Sequence, residues 1–239
     1  MRAYGKSDIG KVRKTNEDSY ICNPPAIFMV ADGMGGHAAG EIASSLCVKA
    51  VVEYVQKAAP AADLREVLKE AVLNANETIW QAANTQLEYA GMGTTVTVLY
   101  LDGDNVFWGH VGDSRLYLIS EEKITQITAD HSVVGELLQN GSITEEEALF
   151  HPKRNMLTRA VGTAKDVLVD TGVMVWQQGD KLLLCSDGLT NMVRTTEMLK
   201  IINEPRESSD LQLVVDKLIA QANDAGGFDN ITTVLIARD

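Results

Sequence analysis

Five aspartates stand where they can do chemistry together. Residues 26–31, AIFMVA, read as a buried strand that ends at Asp32, and four glycines crowd the next eight residues. A strand that presents a carboxylate and then runs into backbone free to bend builds an oxygen site for a hard cation such as Mg²⁺ or Mn²⁺. Gly33 can turn its carbonyl inward where a Cβ would clash. Asp18, Asp113, Asp187 and Asp229 border further apolar runs. Asp-Gly and Asp-Asn are also ordinary turn pairs, and any one alone reads as a turn. Five acids aimed at one edge, however, would repel one another unless cations lay among them. Two divalent ions about 4 Å apart can share a water, lower its pKa and hold it in line with phosphorus, so the pattern points to two-metal phosphoester hydrolysis. Arg13, five residues before Asp18, can reach over such ions and grip a phosphate through its planar fork.

The rest of the chain must carry these residues to one place. Its 239 residues are 45% hydrophobic, enough for a core, and no repeat or Pro/Ser-rich linker divides them, so residues 1–239 read as a single domain. The first residues, MRAYGKSDIG, lack an apolar signal region, and no run approaches the roughly 18 apolar residues of a membrane helix. Cys22, Cys47 and Cys185 do not make a disulfide framework, so reduced thiols and a cytoplasmic location are expected. The net charge of −12 argues against nucleic acid, whose phosphates it would repel. It suits a site that gathers carboxylates and neutralises them with cations. Nothing calls for an oligomer, and a monomer is the default expectation.

The positioning elements follow from periodicity. Tyr20–Ile21 marks a strand edge beside Arg13, Asn16, Glu17 and Asp18. A helix follows the glycine turn, with Ile42, Leu46, Ala50 and Tyr54 recurring every fourth residue until Pro60. Asp63 and Glu66 form a capping box for a second helix, whose buried stripe is Leu64, Val67, Leu68, Ala71, Val72, Ala75 and Ile79. From Thr94 the pattern becomes strands: TTVTVLYL, NVFWGHVG, SRLYLI and KITQI, with hairpins expected at Asp102-Gly103 and Gly112-Asp113. Residues 130–156 are helical and polar, with a capping box at Thr144/Glu147, and read as a surface lid. Strands resume at DVLVDTGVMV and KLLLCSDG, then a helix over about 209–223 and a last strand in FDNITTVLIAR. Long helices followed by hairpin-linked strands fit sheets with helices packed outside.

Several local patterns imitate other chemistries. Gly33, Gly35 and Ala38 satisfy a dinucleotide fingerprint, but the acid about 20 residues on, Glu53, falls inside a helical run, and Asp32 would face the pyrophosphate. Asp102-x-Asp104 imitates the loop of aspartyl-nucleophile phosphatases, yet it reads as a hairpin turn because the strand VFWGHV follows at once. No Cys has an Arg six residues on, and no G-x-x-x-x-G-K-[ST] exists, which excludes Cys-phosphatase and P-loop chemistry. His110 reads as a satisfied core histidine, His131 and His151 as solvated lid residues, and Cys185 as a small core residue. Lys153, Arg154 and Arg159 on the lid suit an acidic phosphopeptide, although charged lid residues are commonly just solvated.

Six motifs occur in order: G-x-x-R-x-x-N-E-D (Gly10, Arg13, Asn16–Asp18), DGMGGH (Asp32–His37), GTT (Gly93–Thr95), GDSR (Gly112–Arg115), SDGL (Ser186–Leu189) and DNIT (Asp229–Thr232). The whole resembles the metal-dependent protein phosphatase (PPM) family, type 2C, in its compact bacterial form. The resemblance implies an α+β fold: a four-layer α-β-β-α sandwich of two antiparallel sheets flanked by helix pairs, with the flap inserted at about 130–156. It implies a protein serine/threonine phosphatase, a hydrolase of signalling, acting by direct attack of a metal-bridging hydroxide. Asp32 would bridge two Mn²⁺ or Mg²⁺ ions, the Gly33 carbonyl would bind one, and Asp187 and Asp229 the other. Glu17 and Asp18 would act through metal-bound waters. Asp113 with Asp187 matches a third ion's position, and Arg13 the phosphate clamp. Phosphorylated proteins are the implied substrates, with a Ser/Thr kinase as counterpart. One departure is Met34, where many members carry a histidine proposed as general acid; a thioether cannot donate a proton, and His37 lies three residues on. An aspartyl-nucleophile phosphatase at Asp102 and an inactive phosphoprotein-binding module are the alternatives.

Overall fold

The computed structural model describes residues 1–24, 26–35, 39–58, 63–204 and 210–239. His37 and Ala38, Pro60 at the expected end of the first helix, and Ser209 lie outside the described residues.

Eleven strands form two antiparallel sheets among the described residues. One sheet contains β1 (Arg2–Asp8), β7 (Arg115–Ile119), β8 (Ile124–Gln126), β10 (Lys181–Cys185) and β11 (Ile231–Ala237), in the order β1-β11-β10-β7-β8. The other contains β2 (Asp18–Asn23), β3 (Ile27–Met34), β5 (Val96–Asp102), β6 (Asn105–Val111) and β9 (Asp170–Val175), in the order β2-β3-β5-β6-β9. The short β4 (Gly93–Thr94) pairs with the end of β3.

Alternation along β3 explains the layering. Met29 and Ala31 pack against α1 (Ala39–Ala58) and α2 (Leu64–Thr85), while Phe28 and Val30 point to the opposite sheet face. Between the sheets they meet Leu99, Leu116, Leu182, Leu184, Val234 and Ile236. The outer face of the first sheet, with Tyr117, Leu183 and Leu235, is covered by α5 (Asp187–Thr190), α6 (Thr195–Asn203) and α7 (Leu211–Asp224). Strands buried on both faces need unbroken apolar runs, which is why β3, β10 and β11 are nearly all hydrophobic. Each fully buried Leu or Phe here contributes about 1.5–3 kcal/mol. The result is the four-layer α-β-β-α sandwich.

Three details differ from the sequence reading. Gly112-Asp113 is not a hairpin: β6 and β7 belong to different sheets, and the chain crosses between them where Gly112 takes φ +112°. On α1 the fully buried face is Ala43, Cys47, Val51 and Val55, with Ile42, Leu46, Ala50 and Tyr54 packed partly buried beside it. Small residues face β3 because the helix lies close to the strand. Residues 166–169 of DVLVDTGVMV precede β9 rather than belonging to it.

The Asp102–Asn105 hairpin forms as expected, as does the Thr144/Glu147 capping box, in which each side chain bonds the other residue's amide. Asp63 caps α2 by accepting from the Arg65 and Glu66 amides. Residues 130–156 hold two short helices, α3 (Val133–Gln139) and α4 (Glu145–Leu149).

Candidate metal centre

Strand ends bring the acids to one end of the sandwich. In the register of β2 on β3, Asp18 lies opposite Asp32. β10 and β11 pair with Cys185 opposite Thr233, so Asp187, just after β10, and Asp229, just before β11, arrive together. Asp113 enters from the crossing after β6, next to Arg115, which pairs with Cys185.

Burial and one another's charge raise their pKa values. Burial first, then the charges of Asp18, Asp187, Asp113 and Asp229, push the Asp32 carboxyl well above the usual range. Burial is also the largest cause for the others: Asp18 rises to about 7, Asp113 to about 8 and Asp187 to about 6. Asp187 and Asp229 add to the rise of Asp18, and Asp229 to that of Asp187. Glu17 is raised too, again chiefly by burial.

Two of these carboxylates keep a buried oxygen with no hydrogen-bond partner among the described residues, Asp18 Oδ1 and Asp187 Oδ1. An unpaired buried carboxylate oxygen is costly, and a hard cation is the partner that suits several at once. No three His, Cys, Asp or Glu side chains among the described residues close on one point as a ready-made cage. The donor set, all oxygen, suits Mg²⁺ or Mn²⁺.

Backbone and hydroxyl groups fix the acids. Thr95 N donates to Asp32 O at 2.8 Å, Thr94 Oγ1 to the same oxygen at 2.9 Å, and Asp32 N to Thr95 Oγ1 at 2.9 Å. Gly33 N donates to Glu17 O at 3.1 Å. A Cβ on Gly33 would stand 2.1 Å from Gly40 O and 2.5 Å from Glu17 O, so only glycine lets α1 and the Glu17 segment close over the end of β3. Ser186 Oγ donates to Asp18 Oδ2 at 2.8 Å, and Asn191 Nδ2 to Asp187 Oδ2 at 3.0 Å. The sequence names Thr94, Thr95, Ser186 and Asn230 only as motif members; their polar side chains beside strand-end aspartates were the available signal.

Arg13 Nη2 donates to Asp229 Oδ2 at 2.7 Å, and its side chain stays 47% exposed, so the guanidinium borders the acids and solvent together. Met34 ends β3 and is half-buried. Asp102 is exposed at the far end of β5 from Thr95, in its hairpin.

The histidines divide. His110 is fully buried, with Nδ1 on Thr97 Oγ1 at 2.9 Å and Nε2 on Ala129 O at 3.1 Å; burial lowers its pKa to about 4. His131 is not solvated: it is 3% exposed, accepts from Gly112 N through Nδ1 at 3.1 Å, and reaches Asp170 Oδ2 through Nε2 at 3.1 Å. Ser132 bridges Leu157, and the neighbouring His131 backbone donates to Gly112 O and accepts from Thr158 N, which keeps this end of residues 130–156 against the body of the protein. His151 is half-buried. Of the three cations singled out in the sequence, Arg159 donates to Asp170 at 2.8 Å, and Lys153 and Arg154 line a cavity of about 530 Å³ with Phe150 and Met156.

The protein phosphatase 2C family model matches residues 12–235. The chain is 40% identical to the serine/threonine phosphatase stp of Listeria monocytogenes, over all of this chain and 96% of that protein. It superposes on the Mycobacterium tuberculosis serine/threonine phosphatase PstP/Ppp with a TM-score of 0.90 at 37% identity, covering 98% of this chain and 97% of that one. The catalytic domain of PstP in complex with two manganese ions gives a TM-score of 0.88 at 36% identity, covering 98% and 96%. Sheets, strand-end acids and sequence agree along the whole length: the chain belongs to the metal-dependent protein phosphatases of type 2C.

Proposed function

We propose that residues 1–239 act as one domain that removes phosphate from phosphoserine and phosphothreonine in proteins. The observation that carries this reading is the convergence of Asp18, Asp32, Asp187 and Asp229, with buried oxygens of Asp18 and Asp187 that have no hydrogen-bond partner among the described residues. Asp32, Asp187, Asp229 and the Gly33 carbonyl would hold two Mn²⁺ or Mg²⁺ ions, with Asp18 and Glu17 reaching them through water and Asp113 with Asp187 offering a third position. When bound, such ions supply a water of lowered pKa and neutralise charge on the transferred phosphoryl group.

The chain's own residues do the rest. Arg13 binds two phosphate oxygens at once and orients the phosphorus toward the acids, a task for which its planar fork is suited and an ammonium is not. Thr94 and Thr95 fix the backbone of Asp32 at the end of β3. Met34 holds no proton to give, so the leaving alkoxide takes its proton from water. The chain works as a monomer in the cytoplasm, on phosphoproteins made by a Ser/Thr kinase. Its charge of −12 disfavours nucleic acid, and none of the described helices is long and apolar enough to cross a membrane.

Release of phosphate from a phosphothreonine peptide tests the reading. Activity with Mn²⁺ that a chelator abolishes and added Mn²⁺ restores is expected. Turnover that survives chelation, or a trappable phosphoenzyme, overturns it.

A further inference from the structure

The connection between β1 and β2, residues 9–17, passes from one sheet to the other and carries Arg13 at its middle. A single side chain holds both ends of it. Asn230, 4% exposed, donates from Nδ2 to Ile9 O at 3.0 Å and to Thr15 O at 3.0 Å, and accepts from Glu17 N through Oδ1 at 2.8 Å. Both donors of the amide and its acceptor are thereby used. Asn230 also directly follows Asp229, the carboxylate that Arg13 meets at 2.7 Å. One amide thus fixes the height of this connection relative to that acid. Within the connection, Gly10 takes φ +79°, and a Cβ there would stand 2.3 Å from Asp229 O. The backbones at positions 10 and 229 are in close contact.

We propose that Asn230 is a positioning residue for phosphate binding: by clasping Ile9, Thr15 and Glu17 to the start of β11, it sets where Arg13 can grip. This rests on the reading of Arg13 as the phosphate-binding arginine. Asn230 itself touches neither phosphate nor ion.

The test uses the full chain loaded with Mn²⁺ and reads four quantities: inhibition by inorganic phosphate, KM and kcat on a phosphothreonine peptide, bound Mn²⁺, and hydrogen exchange of residues 10–17. Asn230→Ala is expected to weaken phosphate inhibition and raise KM, each about tenfold, as for the loss of a charged hydrogen bond. Exchange over residues 10–17 should quicken while bound Mn²⁺ is unchanged. Added to Arg13→Ala, the same change should raise KM no further, because the two residues act as one unit. Gly10→Ala displaces the same connection with Asn230 intact, and should reproduce the phosphate effect even if Asn230→Ala folds poorly. Full additivity with Arg13→Ala, or an effect explained by lost Mn²⁺, overturns the proposal. If Arg13→Ala itself keeps normal phosphate inhibition, the reading of Arg13 falls and the proposal with it. If Arg13→Ala responds and Asn230→Ala and Gly10→Ala do not, the proposal alone falls.

Discussion

Ser186 Oγ and Asp18 Oδ2 lie 2.8 Å apart although 168 residues separate them in the chain. Ser186 follows β10 in one sheet and Asp18 opens β2 in the other, so this bond stitches the two sheets together at the end where the acids gather. Ser186 is fully buried and also accepts from Thr232 N at 2.9 Å. Ser186→Ala removes the hydroxyl that donates to Asp18 Oδ2. Stability should fall by about 1–3 kcal/mol in denaturant unfolding, with weaker Mn²⁺ binding in calorimetry. Unchanged values in both would show that the bond does not organise the site.

Asp187→Asn keeps shape and removes a charge that two proposed ion positions share. Turnover at saturating Mn²⁺ should fall at least about a hundredfold, more than outer-shell substitutions usually cost. Near-normal turnover would refute its role as ligand.

Much of this was legible because its signals are local. An apolar run ending in aspartate marks Asp32, and Thr144 with Glu147 three residues on marks the capping box of α4. What escaped depends on partners far along the chain. His131 looked solvated because its partners are Gly112 and Asp170. Asn76 sat unnoticed in a helix, yet it is buried, accepting from Gly162 N at 2.7 Å and donating to Lys165 O at 2.9 Å. β1, RAYGKSD, is polar and only half-buried, so no hydrophobic pattern announces it. Gly112-Asp113 has the composition of a hairpin turn, and only the sheet assignment of β7 reveals a crossing.

Asp102→Asn separates the two phosphatase chemistries. Because Asp102 lies exposed at the hairpin end of β5, activity should stay within about twofold of the parent, as for surface substitutions that shift stability by less than about 0.5 kcal/mol. Abolished turnover would point to an aspartyl nucleophile.

The raised carboxyls give a pH dependence of definite sign. Asp18 and Asp113, ordinarily near 3.8, keep their protons to about 7 and about 8 in the folded chain. The folded state then binds more protons than the unfolded one across this range, so the stability they contribute is full at low pH and lost as pH rises through those values. His110, held neutral down to about 4, acts in the opposite sense only below its ordinary 6.5. From about pH 6.5 to 8.5 the urea midpoint of the chelated protein should therefore fall, and Mn²⁺ should abolish the trend while releasing protons on binding. A midpoint that rises over this range would contradict the assignment.

The most direct measurement is anomalous diffraction from crystals grown with Mn²⁺. Two peaks among the carboxylates of Asp32, Asp187 and Asp229, one of them at the Gly33 carbonyl, are predicted. A cluster that stays free of Mn²⁺ while the enzyme turns over, or manganese bound elsewhere on the chain, would contradict the account.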